Sequence, residues 1–216
     1  MYICTQRYKI YTTKKMSQIT WHKSLKSTNS WLREHISEYD TMSVVATVEQ
    51  SAGRGQGTHS WYASPGKNLT FSIVLKPEQL PASEALYLSR ITTLSILSYL
   101  KAKGVEARIK WPNDIWVEEQ KISGMLIENV LNGQYVESSI IGIGINLNEE
   151  NWPEELPNPV SLHEITGEYY EIKQELAVFY KEFCRHAQML ESEDGKKYLC
   201  ERFKEKVFRL PEGLEL

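Results

Sequence analysis

The sequence predicts an α/β fold, in the α+β sense, around a mixed and partly antiparallel β-sheet, and three observations carry that expectation. Runs rich in β-branched residues recur at strand length, as in Met42 to Glu49 and Asn68 to Lys76. Two further runs flank Asn132-Gly133, a pair that supplies positive φ at both positions of a tight turn and so makes an antiparallel hairpin of its neighbours. Long segments of helical period stand between and after the strands, at 81–103, 171–190 and 194–207.

Taken in order, residues 1–16 carry Arg7, Lys9, Lys14 and Lys15 with no acid and no periodicity, and read as an extension before a compact domain over 17–207. A helix is expected from Ser27 or Thr28 as its cap, with Trp31, Leu32 and Ile36 on one face. The strand over 42–49 leads into a polar, glycine-rich stretch at 51–60, and a second strand covers 68–76. The helix over 81–103 repeats Leu86, Arg90, Leu94, Leu97 and Leu100 at helical spacing and stops at Gly104. Short strands follow at 107–110, 115–117, 122–130 and 135–145, and the last two helices close the domain.

With 41% hydrophobic and 25% charged residues the chain has the balance of a globular protein, which excludes disorder and collagen-like fibre. Its 216 residues suit one domain with a small appendage. A net charge of -3 announces neither a nucleic-acid partner nor a membrane surface, so any anion site must be local. Cys4, Cys184 and Cys200 are far apart and read as reduced thiols. No apolar run approaches the roughly 20 residues of a membrane span, no signal peptide is evident, and a cytoplasmic location is expected.

Three segments could carry chemistry. In Gly53-Arg54-Gly55-Gln56-Gly57, alternate glycines let backbone N–H groups converge on an anion while Arg54 adds a charged fork; a plain hairpin loop explains the same glycines about as well. Lys110-Trp111-Pro112-Asn113-Asp114, followed by Lys121 and Gly124, gathers two cations, an amide and a carboxylate between strands, although alone it reads as a turn with solvated lysines. Gly142 and Gly144 lie on one face of a strand before Asn146 and leave room there for a flat group. The five histidines lack metal-ligand spacing, so no tightly bound metal is expected. The tryptophans read as core, Trp111 being the candidate exception.

In this order and spacing the segments resemble the biotin protein ligase family, the biotin–[acetyl-CoA-carboxylase] ligases. The resemblance is carried by Ser27-Thr28-Asn29, Glu49-Gln50, Gly53-Arg54-Gly55, Trp61, Ser64-Pro65-Gly66, Asn68-Leu69, Lys110 to Asp114, Lys121, Gly124, Gly142 to Asn146, and Pro157 to Leu162. It implies helices mainly on one face of the sheet, as in class II aminoacyl-tRNA synthetases. It also implies a two-step reaction: biotin and MgATP give biotinyl-5′-AMP, and a lysine of a biotin carboxyl carrier domain of acetyl-CoA carboxylase then takes the biotinyl group.

By the same resemblance Ser27, Thr28, Asn29, Gln50, Gly53, Arg54, Gly55, Gln56, Lys121, Gly124 and Gly142 would bind biotin. Arg54, His59, Trp61, Lys110, Asn113, Asp114, Lys121 and Asn146 would lie by the nucleotide, Asp114 would assist magnesium, and Lys121 and Arg54 would stabilise the reacting anions. Many relatives carry a second arginine where this loop has Gln56, Gly57, Thr58 and His59, so one guanidinium stands in place of two, with His59 a partial substitute when protonated. Twenty-six residues precede Ser27, too few for the DNA-binding domain of regulatory members, and no nucleic acid or membrane partner is expected. Residues 208–216 correspond to the start of a truncated or absent SH3-like domain. Two other readings remain: a lipoate or octanoate ligase of the same fold, and a biotin-binding module with impaired catalysis. A monomer and a homodimer are equally compatible with the sequence.

Overall fold

Two strands of this chain show how its sheet divides the molecule. In β3 (Leu69–Leu75), Leu69, Phe71, Ile73 and Leu75 join the main apolar cluster, whereas Thr70, Ser72 and Val74 face the other way. In β7 (Tyr135–Ile145), Ile141, Ile143 and Ile145 join the same cluster, and Ile140, Gly142 and Gly144 lie opposite. A period of two thus gives one thoroughly apolar face and one face of small residues. The computed structural model describes residues 19–208; the expected extension at 1–16, Cys4 and all but the first residue of the segment 208–216 lie outside them.

The remaining strands are β1 (Ile19–Leu25), β2 (Val44–Gln50), β4 (Arg108–Lys110), β5 (Asp114–Val117), β6 (Gln120–Asn132) and β8 (Val207–Phe208). They form one eight-stranded sheet in the order β1-β2-β3-β7-β6-β5-β4-β8, with β1/β2 and β4/β8 parallel and the other pairs antiparallel. The mixed sheet and the Asn132-Gly133 hairpin are as the sequence predicts, and Gly133 has φ of +61°.

The helices are α1 (Thr28–His35), α2 (Leu86–Ala102), α3 (Leu162–Thr166), α4 (Ile172–Gln188) and α5 (Glu193–Lys206). Residues of α2, α4 and α5 bury their apolar stripes in the main cluster with Phe71, Ile73 and Ile141. On the opposite face α1 sets Leu32 against Val45, Val74 and Ile140. Three long helices on one face and one short helix on the other match the expected arrangement, and the lone helix carries Ser27-Thr28-Asn29.

Four elements differ from the sequence reading. Strand β1 was not expected, because Ile19–Leu25 shows no clean alternation and earns its place by parallel pairing with β2. The expected helix over 81–103 begins at Leu86, after a single 3-10 turn at Ala82–Glu84. Helix α3 is too short for periodicity, yet Ser161 and Glu164 form a complete capping box at its start. The last helix ends at Lys206, and Val207–Phe208 cross to pair with β4.

A buried polar cluster fastens α2 to α4, and a second, centred on His186 of α4, reaches α2 at Ser95, whose Oγ lies 3.2 Å from His186 Nδ1. Glu175 accepts from Tyr99 Oη and from Lys103 Nζ, both at 2.7 Å; burial and that hydrogen bond raise the phenol's pKa. Nearby, His186 Nδ1 donates to the Glu182 carbonyl at 2.9 Å while Nε2 accepts from Arg185 at 3.3 Å, a pairing that requires the neutral ring. Burial and Arg185 lower the His186 pKa against the pull of Glu182. The fold therefore disfavours the protonated ring, and stability present above the ordinary value of 6.5 declines as pH falls from there toward the lowered folded value. Denaturant unfolding between pH 7 and about pH 5 should show this decline, and His186→Gln should remove its contribution; an identical pH slope in that variant would dismiss it.

Candidate functional site

The site begins where α1 meets the small-residue face of the sheet. Ser27 caps α1 by accepting from the Ser30 N–H, and Thr28 N–H donates to Gln50 Oε1 at 3.0 Å. Ser72 Oγ on β3 lies 2.7 Å from Thr28 Oγ1 and 2.6 Å from Asn29 Oδ1. Asn29 Nδ2 donates to the Leu126 carbonyl at 3.2 Å and to Glu128 Oε2 at 2.8 Å on β6. All of Asn29's amide is thereby engaged, across three elements. It fits because Gly142 has no side chain: a Cβ there would overlap Asn29 Oδ1.

The glycine loop leaves β2 and returns as a hydrogen-bonded hairpin. Gly55 N–H donates to the His59 carbonyl at 2.8 Å, and Trp61 N–H donates to the Gly53 carbonyl at 3.0 Å. The loop thus forms the hairpin that the sequence allowed, with the Gly55 N–H engaged inside it, while Arg54, Gly55 and Gln56 line the site's cavity. A Cβ at Gly53 would strike the Trp61 carbonyl, which explains that glycine. Trp61 then lays its indole across Gly124 of β6 and Gly144 of β7, which are register partners. The room at the alternate glycines is thus divided between two side chains of the protein itself, Asn29 at Gly142 and Trp61 at Gly144, and Trp61 walls the site instead of joining the core.

A third group comes from β4 to β6. Lys121 Nζ stands 2.7 Å from Asp114 Oδ1 and 5.5 Å from the Trp61 ring centroid. The Lys121–Asp114 contact is close in charge terms without the alignment of a hydrogen bond. Segment 158–160 grips the backbone of Lys121 through Asn158 O and Val160 N, and Asn146 Nδ2 reaches both Lys121 O at 3.3 Å and Val160 O at 3.0 Å. Lys110 Nζ rests 4.0 Å from the Trp116 ring centroid, and Asn113 Nδ2 donates to the Met125 carbonyl.

These groups enclose a cavity of about 280 Å³. Of the residues named from the sequence, Ser27, Thr28, Asn29, Gln50, Arg54, Gly55, Gln56, His59, Trp61, Lys110, Asn113, Asp114, Lys121, Gly124 and Gly142 line it. Gly53 and Asn146 do not: Gly53 closes the loop's base, and buried Asn146 acts through the Lys121 and Val160 carbonyls. A second cavity of about 360 Å³ adjoins it, shares Gln56, Trp111, Asn113 and Leu126, and opens toward Ala85, Leu86 and Ser89 at the start of α2. Asp114 is the lining carboxylate and is already paired with a lysine, and the described residues contain no group of three His, Cys, Asp or Glu able to hold a metal ion. That donor set fits a resident divalent ion poorly.

Sequence reasoning missed Ser72 and Glu128. Glu128 accepts from Arg54 Nη2 at 2.9 Å and Nη1 at 3.3 Å, from Asn29, and from Arg33 of α1. Burial opposes its ionisation, but the Asn29 and Arg54 hydrogen bonds and the charges of Arg54 and Arg33 prevail and hold its pKa below 4.5. A signal existed: Gly124, Leu126 and Glu128 fall at alternate positions of one strand and so share a face.

The chain belongs to the biotin/lipoate A/B protein ligase family, whose model matches residues 21–146. Among curated proteins, the bifunctional ligase/repressor BirA of Bacillus spizizenii is 33% identical over 129 residues, 58% of this chain and 39% of that protein. The biotin–[acetyl-CoA-carboxylase] ligase of Paracoccus denitrificans is 31% identical over 105 residues, 48% of this chain and 43% of that one. The chain spans roughly two fifths of the length of these relatives. Among solved structures, the biotin protein ligase from Aquifex aeolicus in complex with biotin and ATP superposes with a TM-score of 0.76 at 26% identity, covering 92% of this chain and 84% of that one.

Gly142→Ala should push the Asn29 amide off Ser72 and Glu128, and overpacking of this kind costs about 1–3 kcal/mol. Denaturant unfolding measures it, and an unchanged midpoint would mean that the strand yields instead of Asn29.

Proposed function

We propose that the protein is an ATP-dependent biotin ligase acting on a biotin carboxyl carrier domain, that of acetyl-CoA carboxylase being the expected acceptor. The observation that carries this reading is the position of Lys121. Its ammonium touches Asp114 on one side and crowds Gly124 and Trp61 on the other, so it adjoins both the Lys110 to Asp114 turn and the wall of the cavity that α1 enters. The family membership and the Aquifex aeolicus ligase, solved with biotin and ATP, support the same assignment of substrates.

In the first step a biotin carboxylate oxygen forms a bond to the α-phosphorus of ATP, and the bond from that phosphorus to the β-phosphate bridge breaks, releasing pyrophosphate. Two anions must meet, so the protein's contribution is positive charge fixed in advance where they converge. Lys121 supplies it, held by Asp114 before substrate arrives and by the backbone grip of 158–160 throughout. Arg54 brings the guanidinium of the loop to the same cavity. The polar pocket of Ser27, Thr28, Asn29 and Gln50 is assigned to the biotin ureido group. The turn of Lys110, Asn113 and Asp114, with His59 and Trp61, is assigned to the nucleotide; Asn146 positions Lys121 from behind. Magnesium enters with the triphosphate as substrate, with Asp114 the lining carboxylate able to assist it.

In the second step the acceptor lysine, as a free amine, attacks the acyl carbon. A C–N bond forms, the C–O bond to AMP breaks, and the amine's surplus proton leaves to solvent. Cys184 and Cys200 sit on α4 and α5 within the helical layer, and burial raises the Cys184 thiol's pKa, which weighs against acyl transfer through a cysteine. The ATP requirement suits the cytoplasm; among the described residues no helix is long and apolar enough to cross a membrane.

Incubation with a carrier domain, MgATP and either biotin or lipoate, read by intact mass, tests the assignment. A biotinyl gain that depends on ATP is expected; a lipoyl gain alone, or binding of biotin without transfer, would reject it. Lys121→Ala should slow pyrophosphate release about a hundredfold to a thousandfold, as loss of one preorganised donor does, with far less effect on biotin affinity. Equal losses in both would assign Lys121 to ground-state binding.

A further inference from the structure

The loop's guanidinium is turned onto the protein. Arg54 makes a two-pronged contact with Glu128, Nη2 to Oε1 at 2.9 Å and Nη1 to Oε2 at 3.3 Å. Arg33, one turn into α1, donates to the same Oε1, and Asn29 donates to Oε2 at 2.8 Å. Two guanidiniums from different elements therefore share one carboxylate. They are not equivalent: Arg54 lines the cavity and Arg33 does not. Their exposure differs too, since the Glu128 side chain is 20% exposed against 39% for Arg54 and 55% for Arg33.

A half-buried carboxylate stripped of its counter-ion is penalised, because its charge has lost its partner and part of its water. Were Arg54 the sole partner, a phosphate in the cavity would have to overcome that penalty to recruit it. Arg33 and Asn29 change the balance, since Glu128 keeps one cation and one amide donor after Arg54 departs. We infer that Glu128 is a positioning residue that holds Arg54 in reserve, and that Arg33 is the counter-ion left on Glu128 when Arg54 turns to the phosphates of a bound nucleotide. The inference rests on the biotin ligase reading, which supplies the phosphate.

Calorimetric titration of the full chain with ATP, alongside biotin-dependent pyrophosphate release, tests the exchange. Arg33→Gln should weaken ATP binding about threefold to fivefold, the range of a partly exposed ion pair, because Arg54 is then held harder. Glu128→Gln, which keeps an acceptor for Asn29, should strengthen ATP binding by a similar factor, and this gain should vanish in an Arg54→Ala background. In a Glu128→Gln background Arg33→Gln should have no further effect. A loss on Arg33→Gln that persists without Glu128 would place Arg33 directly on the nucleotide and overturn the exchange. So would weaker ATP binding in Glu128→Gln, the behaviour of a mere scaffold. A wild-type chain that binds neither biotin nor ATP would instead defeat the ligase reading and this inference together; an active wild type with the wrong variant pattern defeats the inference alone.

Discussion

A single side-chain amide holds the site's architecture in register. Asn29 spans from α1 to Ser72 on β3 and to Leu126 and Glu128 on β6, in the notch opposite Gly142. Its burial would be costly with any partner missing, since an unsatisfied buried amide is penalised more than a hydrogen bond gains. That asymmetry fixes α1 by more than the apolar contacts of Leu32 alone. It also fixes what α1 presents: the capped Ser27, Thr28 facing Gln50, and Arg33 a turn further on.

The rest follows from the two faces of the sheet. Isoleucine, leucine and phenylalanine at alternate positions commit one face to α2, α4 and α5, so the opposite face is free to be small and polar. On that face Gly124, Gly142 and Gly144 are clearances for Asn29 and Trp61, and the cavity is lined by these glycines and by both side chains. Charge is arranged with similar economy: of the cavity's lysines and arginine, Lys121 and Arg54 each rest against a carboxylate, Asp114 and Glu128, and Lys110 rests over the Trp116 ring.

Much of this was legible in the sequence where the signal is local. The alternation in β3 and β7, the Asn132-Gly133 turn and the Ser27 cap each need only a few neighbouring residues, and each stands where expected. The residues assigned to biotin or nucleotide from Ser27 to Gly142 line one cavity apart from Gly53, whereas Glu49, Ser64 to Gly66, Asn68 and Leu69 of the same motifs do not; order and spacing announce that convergence only through family resemblance. What was illegible depends on distant partners. Glu128 meets residues 74, 95 and 99 positions away; alternation places it on the face of Gly124 and Leu126, but nothing local names the arginines and the amide that it meets there. Strand β1 is held by a parallel neighbour across an intervening helix, and its own sequence does not alternate. The glycines at 142 and 144 were recognised as space, but only the fold could tell that residues 29 and 61 occupy it.

Trp61 has a consequence for more than shape. It belongs to the same hairpin as Arg54, yet its indole forms a wall against β6 and β7. The hairpin is therefore no cover laid over a finished chamber: one short segment carries both a wall of the cavity and its guanidinium. Charge and form are not separable there, and a substitution at the base of the hairpin, at Gly53, alters the two together.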